Sequence, residues 1–362
     1  MARPYLAAVG LILVAHTTYA WADNPVQDIA RSPTSPASST SPTPEYLKKF
    51  EGSSAEASTY IGSGSFYASG YHNPYASIAL FVKPSYSLGT RFKLALRARI
   101  YVEEEFTSPD TPNGRRFYPY DPWVWLSADN LHRFERAKIR IGGAVRAIFP
   151  LSYESRYQNM LFAIGAGPNV NRDFQFGEVS DEKRRWTLKL TWALMAMKYF
   201  QSSPYRGSGP GDTTGCLAPS GGGAAGVSSG GGAAGSAGSE GDHCGGPANT
   251  NYAIGNSVLG ILAHGDWSLM MSLYLANTFK YSFPADVMTA DNGALTGQSD
   301  TTWGIVALSY ELSPRVSLSG GISSLQPALY SRYRYPRFPF WDFSGGNMNN
   351  YSQVFFSVGG TL

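Results

Sequence analysis

The side chains of this sequence that could bind or steer a charged solute are cations placed at every second position. Between residues 91 and 103, odd positions carry Arg91, Lys93, Arg97, Arg99 and Glu103, while the even positions are apolar. Alternation with a period of two is typical of a β-strand that has one polar face and one apolar face. Where such a strand lines an enclosed space, its cations favour the passage of anions.

The same alternation recurs in other segments, chiefly residues 75–88, 138–149, 185–198 and 267–280. If the apolar faces meet lipid, the charged faces point into a lumen, because a charge at the bilayer midplane costs roughly 2–4 kcal/mol. The cations then form a positive lumen, or they pair with inward acids and fix a closed interior. The residues predicted to line the lumen are Lys83, Arg91, Lys93, Arg97, Arg99, Glu103, Lys138, Arg140, Arg146, Arg185, Lys189 and Lys280.

Catalytic chemistry is not indicated by any sequence motif. The histidines are His16, His72, His132, His243 and His264, and none stands in a recognisable nucleophile context. There is no G-x-S-x-G sequence, and the Gly-rich segment lacks the Lys-Ser/Thr ending of a phosphate-binding loop. We therefore expect a protein that is not an enzyme and that uses no cofactor and no metal.

The two cysteines, Cys216 and Cys244, bracket a segment rich in Gly, Ala and Ser within residues 201–250. This composition is typical of a flexible coil without a packed core. In an oxidising compartment such a pair is expected to form a disulfide, whereas a metal site would have only His243 as a further ligand. We predict a Cys216–Cys244 disulfide in an external loop.

A second loop of interest comprises residues 330–343, in which aromatic residues interleave with arginines and prolines. Arginines and aromatic rings in this arrangement can stack on sugars, bases or other rings. The alternative is that the loop folds over the barrel mouth and packs on its own rim. The residues predicted to make contacts from this loop are Arg332, Arg334, Arg337 and Trp341.

The elements that must position these side chains begin after an N-terminal targeting segment. Residues 1–22 have the features of a secretory signal peptide, with an apolar run followed by an A-x-A cleavage site at its end. Residues 23–56 are rich in Ser, Pro and Thr and are predicted to form a disordered periplasmic tether. Residues 57–362 nowhere approach the roughly 18 consecutive apolar residues of a membrane helix, which argues against a helical bundle.

Three features predict that residues 57–362 form an all-β, transmembrane, antiparallel up-and-down β-barrel. The strands are about 11 to 15 residues long, which is enough to cross a bilayer at a tilt. Short connections alternate with long ones, and Trp and Tyr concentrate near strand ends, where an interfacial girdle would lie. We count about twelve strands, among them residues 121–129, 134–149, 156–168 and 184–199. Ten or fourteen also fit, because residues 150–155 are a short connection where a long one is due and residues 169–183 are a long connection where a turn is due. A soluble secreted β-protein is the alternative.

Together, the signal peptide, the alternating strands and a strand that ends at Leu362 resemble bacterial outer-membrane porin-like proteins. The resemblance is architectural, and Leu362 departs from the aromatic residue with which such barrels usually end. It implies a place in the cell outer membrane, contact with its lipid, and biogenesis through the barrel-assembly machinery. A formal net charge of +3 argues against a nucleic-acid partner.

The expected function is passive passage of small anionic solutes through a basic lumen. The alternatives are a non-conducting structural or adhesive barrel that presents long external loops and, third, an outer-membrane enzyme.

Overall fold

The strands of the chain form one antiparallel sheet whose first and last members pair with each other. This computed structural model describes residues 48–66, 74–89, 92–107, 113–177, 185–203, 249–281, 298–329, 336–340 and 351–361. The strands are β1 (Ser54–Gly62), β2 (Ala76–Lys83), β3 (Ser85–Ser87), β4 (Leu94–Glu105), β5 (Arg116–Pro119), β6 (Trp123–Phe134), β7 (Ile139–Ile148), β8 (Met160–Phe176), β9 (Trp186–Gln201), β10 (Thr250–His264), β11 (Trp267–Lys280), β12 (Gln298–Ser313), β13 (Val316–Pro327) and β14 (Tyr351–Thr361). A 3-10 turn (Ser63–Phe66) and a short helix, α1 (Tyr153–Tyr157), lie between strands.

Several predictions concern segments outside the described residues. These are the signal peptide, most of the tether, the Gly-rich loop and its two cysteines. Within the described part of the chain, no helix has the length and hydrophobicity needed to cross a membrane.

The sheet closes because β14 pairs with β1, so that Ser58 lies opposite Ser357. β2 and β3 are two halves of one arm interrupted at Pro84, and both pair with β4. β5 only extends the end of β4, opposite Val102 to Glu105. The wall therefore has twelve strands, which confirms the predicted all-β up-and-down barrel. Closure pairs the first and last strands of the described twelve-strand wall, so the wall has no open edge toward lipid, as a bilayer requires.

The outer wall is apolar because alternate residues of the strands point away from the lumen. On β2, Leu80 and Val82 are exposed, whereas Ala79 and Phe81 beside them are buried. On β14, Phe356 is 64% exposed, and the neighbouring Phe355 is 4% exposed. Exposed apolar side chains on such a wall are stabilised by lipid instead of by a protein core.

Aromatic side chains lie on the outer wall at two levels. At one end Tyr252 stacks on Phe279, with ring centroids 4.5 Å apart, and at the other end Trp267 packs against Tyr310 at 4.7 Å. Trp267 and Phe279 lie near the two ends of β11 and are twelve residues apart. Twelve residues of tilted strand rise about 30 Å along the barrel axis, so the two aromatic levels are separated by about that distance. Short turns such as residues 265–266 and 314–315 fall at the Trp267 end, which is therefore the periplasmic end.

Some connections differ from the sequence prediction. β8 continues to Phe176, so residues 169–176 are strand and the turn to β9 is limited to residues 177–185. The β6–β7 turn lies at residues 135–138, later than the pattern predicts, because a bulge between Ala128 and His132 lengthens β6. The short external connection after β7 is built around α1.

Side chains that face the lumen form a packed interior at mid-height. Trp123, Trp125 and Met197 belong to one buried cluster, while Leu259 and Ile305 in a second are 0% and 1% exposed. Glycines make room for this packing: a Cβ at position 165 would lie 2.0 Å from the Met197 sulfur. An open aqueous pore would leave such side chains exposed, so the lumen is filled at this level.

Candidate functional site

A buried carboxylate in the external half of the lumen accepts hydrogen bonds from three tyrosines. Glu103 on β4 is 2% exposed, and its Oε2 accepts from the hydroxyls of Tyr101 at 2.6 Å and Tyr120 at 2.8 Å. The Tyr75 hydroxyl donates to Oε1. The period of two places Tyr101 and Glu103 on one face of β4, whereas Tyr75 and Tyr120 come from the residues before β2 and β6. The four residues form a closed polar network.

Two arginines flank the ring of Trp123 beside this network. The Arg99 Cζ lies 5.1 Å from the Trp123 ring and 5.2 Å from the Phe81 ring. The Arg146 Cζ lies 4.2 Å from the centroid of the same Trp123 ring. Arg99 and Arg146 are 4% and 5% exposed, so these cations interact with aromatic faces of the protein. We call Arg99, Trp123, Arg146 and Phe81 the arginine–aromatic cluster.

Other lumen charges are balanced by ion pairs. The Arg97 Nη2 lies 3.2 Å from the Asp129 Oδ2, and both side chains are partly exposed. The Arg140 guanidinium pairs with the Asp173 carboxylate nearer the periplasmic end. Opposite charges on neighbouring inward positions correspond to the ion-paired interior, one of the two arrangements that the sequence left open.

A cavity of about 710 Å³ lies at the periplasmic end, between the β6–β7 turn and the β8–β9 hairpin. Among the described residues, six cations and one acid, Asp173, line it. Arg140 pairs with Asp173, and Arg133 pairs with Glu135 in the β6–β7 turn. Phe174 and Phe176 form an apolar part of its wall. We call it the basic cavity; its cations are Arg133, Arg136, Lys138, Arg140, Arg172 and Arg185. A recess lined by several positive charges attracts anions.

The predicted lumen residues are distributed along the whole height of the barrel. Arg99 and Arg146 belong to the arginine–aromatic cluster, and Glu103 accepts hydrogen bonds from the tyrosines. Lys138, Arg140 and Arg185 line the basic cavity. Binding of a solute by any of them remains a prediction. Residues elsewhere on the inward strand face are Lys83, Arg97, Lys189 and Lys280. Lys93 precedes β4 with a φ of 51°, and Arg91 lies outside the described residues.

Sequence reasoning missed three cations of the basic cavity: Arg133, Arg136 and Arg172. The dense run of cations between residues 133 and 140 was a signal that could have found two of them. It also missed the tyrosine donors of Glu103. The period of two could have found Tyr101, but Tyr75 and Tyr120 come from separate segments and have no local signal.

The external end of the barrel is fixed by a buried aspartate. The Asp121 Oδ1 accepts from the backbone N–H groups of Leu151 at 2.8 Å and Ser152 at 2.7 Å, and Oδ2 accepts from the Ser155 hydroxyl. Burial raises the pKa of Asp121, and these hydrogen bonds oppose that shift. Ser152 is also the N-cap of α1. Asp121 thus holds α1 against the start of β6.

The described part of the aromatic and arginine-rich loop, residues 336–340, packs on the barrel itself. It lies against the outer wall beside β12 and β13, and not over the mouth. Arg337 is 8% exposed, so it is not available for the surface contact that the sequence suggested. Arg332, Arg334 and Trp341 lie outside the described residues.

Solved structures that resemble this chain are outer-membrane proteins. An outer membrane channel from Pseudomonas putida F1 is 10% identical, with a TM-score of 0.45, covering 89% of this chain and 100% of the other. Outer membrane phospholipase A from Escherichia coli is 11% identical, with a TM-score of 0.34 and coverages of 87% and 95%. LpxR from Salmonella typhimurium is 9% identical, with a TM-score of 0.36 and coverages of 85% and 100%. No protein-family model and no curated protein sequence matches the chain.

The class of the protein follows from the barrel itself. A closed antiparallel wall, an apolar exterior and aromatic side chains at two levels define a β-barrel of the outer membrane, as the sequence predicts. Its apolar outer wall meets lipid. This setting fits biogenesis through the barrel-assembly machinery.

Proposed function

We propose that the protein is a passive outer-membrane channel for small anionic solutes and that it performs no catalysis. The observation that supports this proposal is the basic cavity, whose described lining residues include six cations and one acid. Fields of like charges add in a recess with low-dielectric walls, so the local concentration of anions rises there. Arg140 and Asp173 belong to the inward face of β7 and β8, so this part of the cavity borders the lumen. Arg172, Phe174 and Phe176 alternate with Asp173 and belong to the other face of β8.

Passage beyond the basic cavity must cross the arginine–aromatic cluster. Trp123 is 2% exposed and both flanking arginines are buried, so a solute can pass only when these side chains move. Arginines held on aromatic faces provide a second set of positive charges along that route. We therefore expect small conductance steps with a preference for anions.

A second candidate function is that of a non-conducting structural barrel. The observation that favours it is the burial of lumen residues at mid-height, where Leu259 and Ile305 are almost inaccessible. In that case the barrel interior is a permanent core, as in small barrels filled by side chains.

Conductance in a planar bilayer under a salt gradient separates the two candidates. The test variant combines Arg136→Glu with Lys138→Glu, which changes the charge of the cavity lining from 6 − 1 = +5 to +1. The control is Arg315→Glu in the β12–β13 turn, at the same end of the barrel but outside the cavity. We expect anion-selective steps whose selectivity falls in the double variant and persists in the control.

Two outcomes would contradict the channel proposal. A barrel that is folded, as judged by heat-modifiable migration on a gel, but never conducts favours the structural barrel. Cation-selective steps in the wild type would show that the basic cavity does not set selectivity.

A further inference from the structure

A patch of polar side chains lies on the lipid-facing side of the wall and is nevertheless buried. Ser324 on β13 pairs with Ser352 on β14, and two residues further along the same face Ile322 pairs with Val354. Ser324, Ser352 and Gln326 are 2%, 1% and 1% exposed. The Ser352 hydroxyl donates to the Ser324 Oγ at 2.9 Å. We call Ser324, Gln326 and Ser352 the polar window.

The polar window lies at a depth where lipid covers the rest of the wall. Ser324 lies eight residues from Val316, where β13 begins beside the periplasmic turn. Eight residues of tilted strand rise about 20 Å, which is still within an apolar band about 25 Å tall. Hydroxyl and amide groups facing hydrocarbon at this depth would be unfavourable without a partner.

Residues 336–340 lie against the window at Gln326 and against Gly304, which pairs with Ser324, and we call them the strap. The Gln326 Nε2 donates to the carbonyl of Phe338, and the Arg337 N–H donates to the Ala328 carbonyl at 2.9 Å. A Cβ at Gly304 would lie 2.4 Å from the Pro339 carbonyl oxygen and 2.7 Å from the Phe340 ring. Glycine at position 304 therefore permits the strap to touch the wall.

The outer surface of the strap continues the apolar exterior of the barrel. Phe338 is 61% exposed, close to the 64% of Phe356 on the uncovered wall, and its ring lies 5.6 Å from that of Phe340. Arg337, the charged residue of the strap, is instead buried. An apolar outer side and a polar inner side fit a segment that separates polar wall groups from lipid.

We propose that the strap is a membrane-inserted part of the external loop, which seals the polar window and contacts acyl chains of the outer leaflet through Phe338. The lipid-facing band of the wall is continuous with this surface, and that continuity identifies the partner as lipid. The proposal concerns the membrane boundary of the barrel and does not depend on whether the barrel conducts.

Photo-crosslinking tests the lipid contact in the full chain. p-Benzoylphenylalanine replaces Phe338, and the protein is irradiated in phosphatidylcholine–phosphatidylglycerol liposomes and analysed by mass spectrometry for acyl-chain adducts. The lipid reference is the same replacement at Val358, which is 52% exposed on the uncovered wall. The aqueous reference is the same replacement at Phe66, which is 62% exposed beyond the external end of β1. We expect the adduct yield at position 338 to match that at 358. A yield as low as that at 66 would overturn the proposal.

A second experiment tests the seal. Gly304→Leu should push the strap off the wall, while its side chain suits the lipid-facing surface and lets the barrel fold. Gly320→Leu is the matched control, because position 320 is on the same wall and its nearest contact is the flexible Phe356 ring at 3.2 Å. Trypsin added to the external side should cut after Arg337 in Gly304→Leu only. Cutting there in the wild type, at the rate seen after the exposed Arg115, or protection in folded Gly304→Leu, would refute the seal.

Discussion

The buried Glu103 carboxylate offers a quantitative test of the closed lumen. Glu103→Ala removes the common acceptor of three tyrosine hydroxyls, and leaving a buried polar group without a partner costs about 1–3 kcal/mol. Because the tyrosines can relax and find other acceptors, we expect a loss of about 3–5 kcal/mol in the free energy of unfolding. Glu103→Gln keeps one acceptor oxygen and should cost about 1–2 kcal/mol.

The assay is equilibrium unfolding in guanidinium chloride from lipid vesicles, followed by tryptophan fluorescence. The matched control is Glu104→Ala on the adjacent position of β4, which is exposed and should change the free energy of unfolding by less than about 0.5 kcal/mol. Tyr101→Phe combined with Glu103→Ala should cost less than the sum of the two changes, since both remove the same hydrogen bond.

One result would refute this reasoning. If Glu103→Ala lowers the stability no more than Glu104→Ala does, water must reach the three hydroxyls after the change. The lumen at the level of Glu103 would then be hydrated, which would weaken the structural-barrel candidate.

Two further predictions concern the external end and the wall. Asp121→Ala leaves two backbone N–H groups without their acceptor and should cost about 2–4 kcal/mol in unfolding experiments, whereas Asp121→Asn, which keeps an acceptor oxygen, should be nearly neutral. Burial raises the pKa of Asp121 above its usual 3.8, so its contribution to the free energy of unfolding is full below that pH and is lost as the pH rises through the folded pKa. The stability of the wild type relative to Asp121→Asn should therefore increase on acidification. The opposite slope would contradict the burial argument. Gly167→Ala places a Cβ 1.8 Å from the Leu194 carbonyl oxygen and should destabilise the barrel by about 1–3 kcal/mol in the same unfolding assay. Gly260→Ala, whose nearest contact is at 3.5 Å, is the neutral control. Equal effects would show that the β8–β9 contact relaxes freely.

The external loops were the least predictable part of the fold. The sequence of residues 330–343 suggests a surface that stacks on ligands, or a cover over the mouth. In the structure its described residues lie on the outer wall, and Arg337 is buried there. Their position depends on Gly304 and Gln326, which belong to other strands, and no pattern within the loop encodes that contact.

The β6–β9 region shows why strand boundaries are harder to predict than strand faces. Inward and outward positions on β7 agree with the alternation in the sequence, because side-chain direction depends only on the period of two. The ends of β6 and β8 do not, because a bulge lengthens one strand and hairpin pairing extends the other to Phe176. Boundaries depend on the partner strand, which the local pattern does not contain.

The sequence by itself determined the class of the fold and the lipid-facing and lumen-facing sides of the strands. These follow from the local alternation of apolar and polar residues and from the absence of a long apolar run. The sequence indicated about twelve strands but left ten or fourteen open, and the pairing of β1 with β14 decided the number. Only the tertiary structure decided which lumen residues meet. Tyr75 and Tyr120 reach Glu103, Arg146 reaches Trp123, and two distant turns enclose the basic cavity, since register, bulges and closure bring together residues that are far apart along the chain.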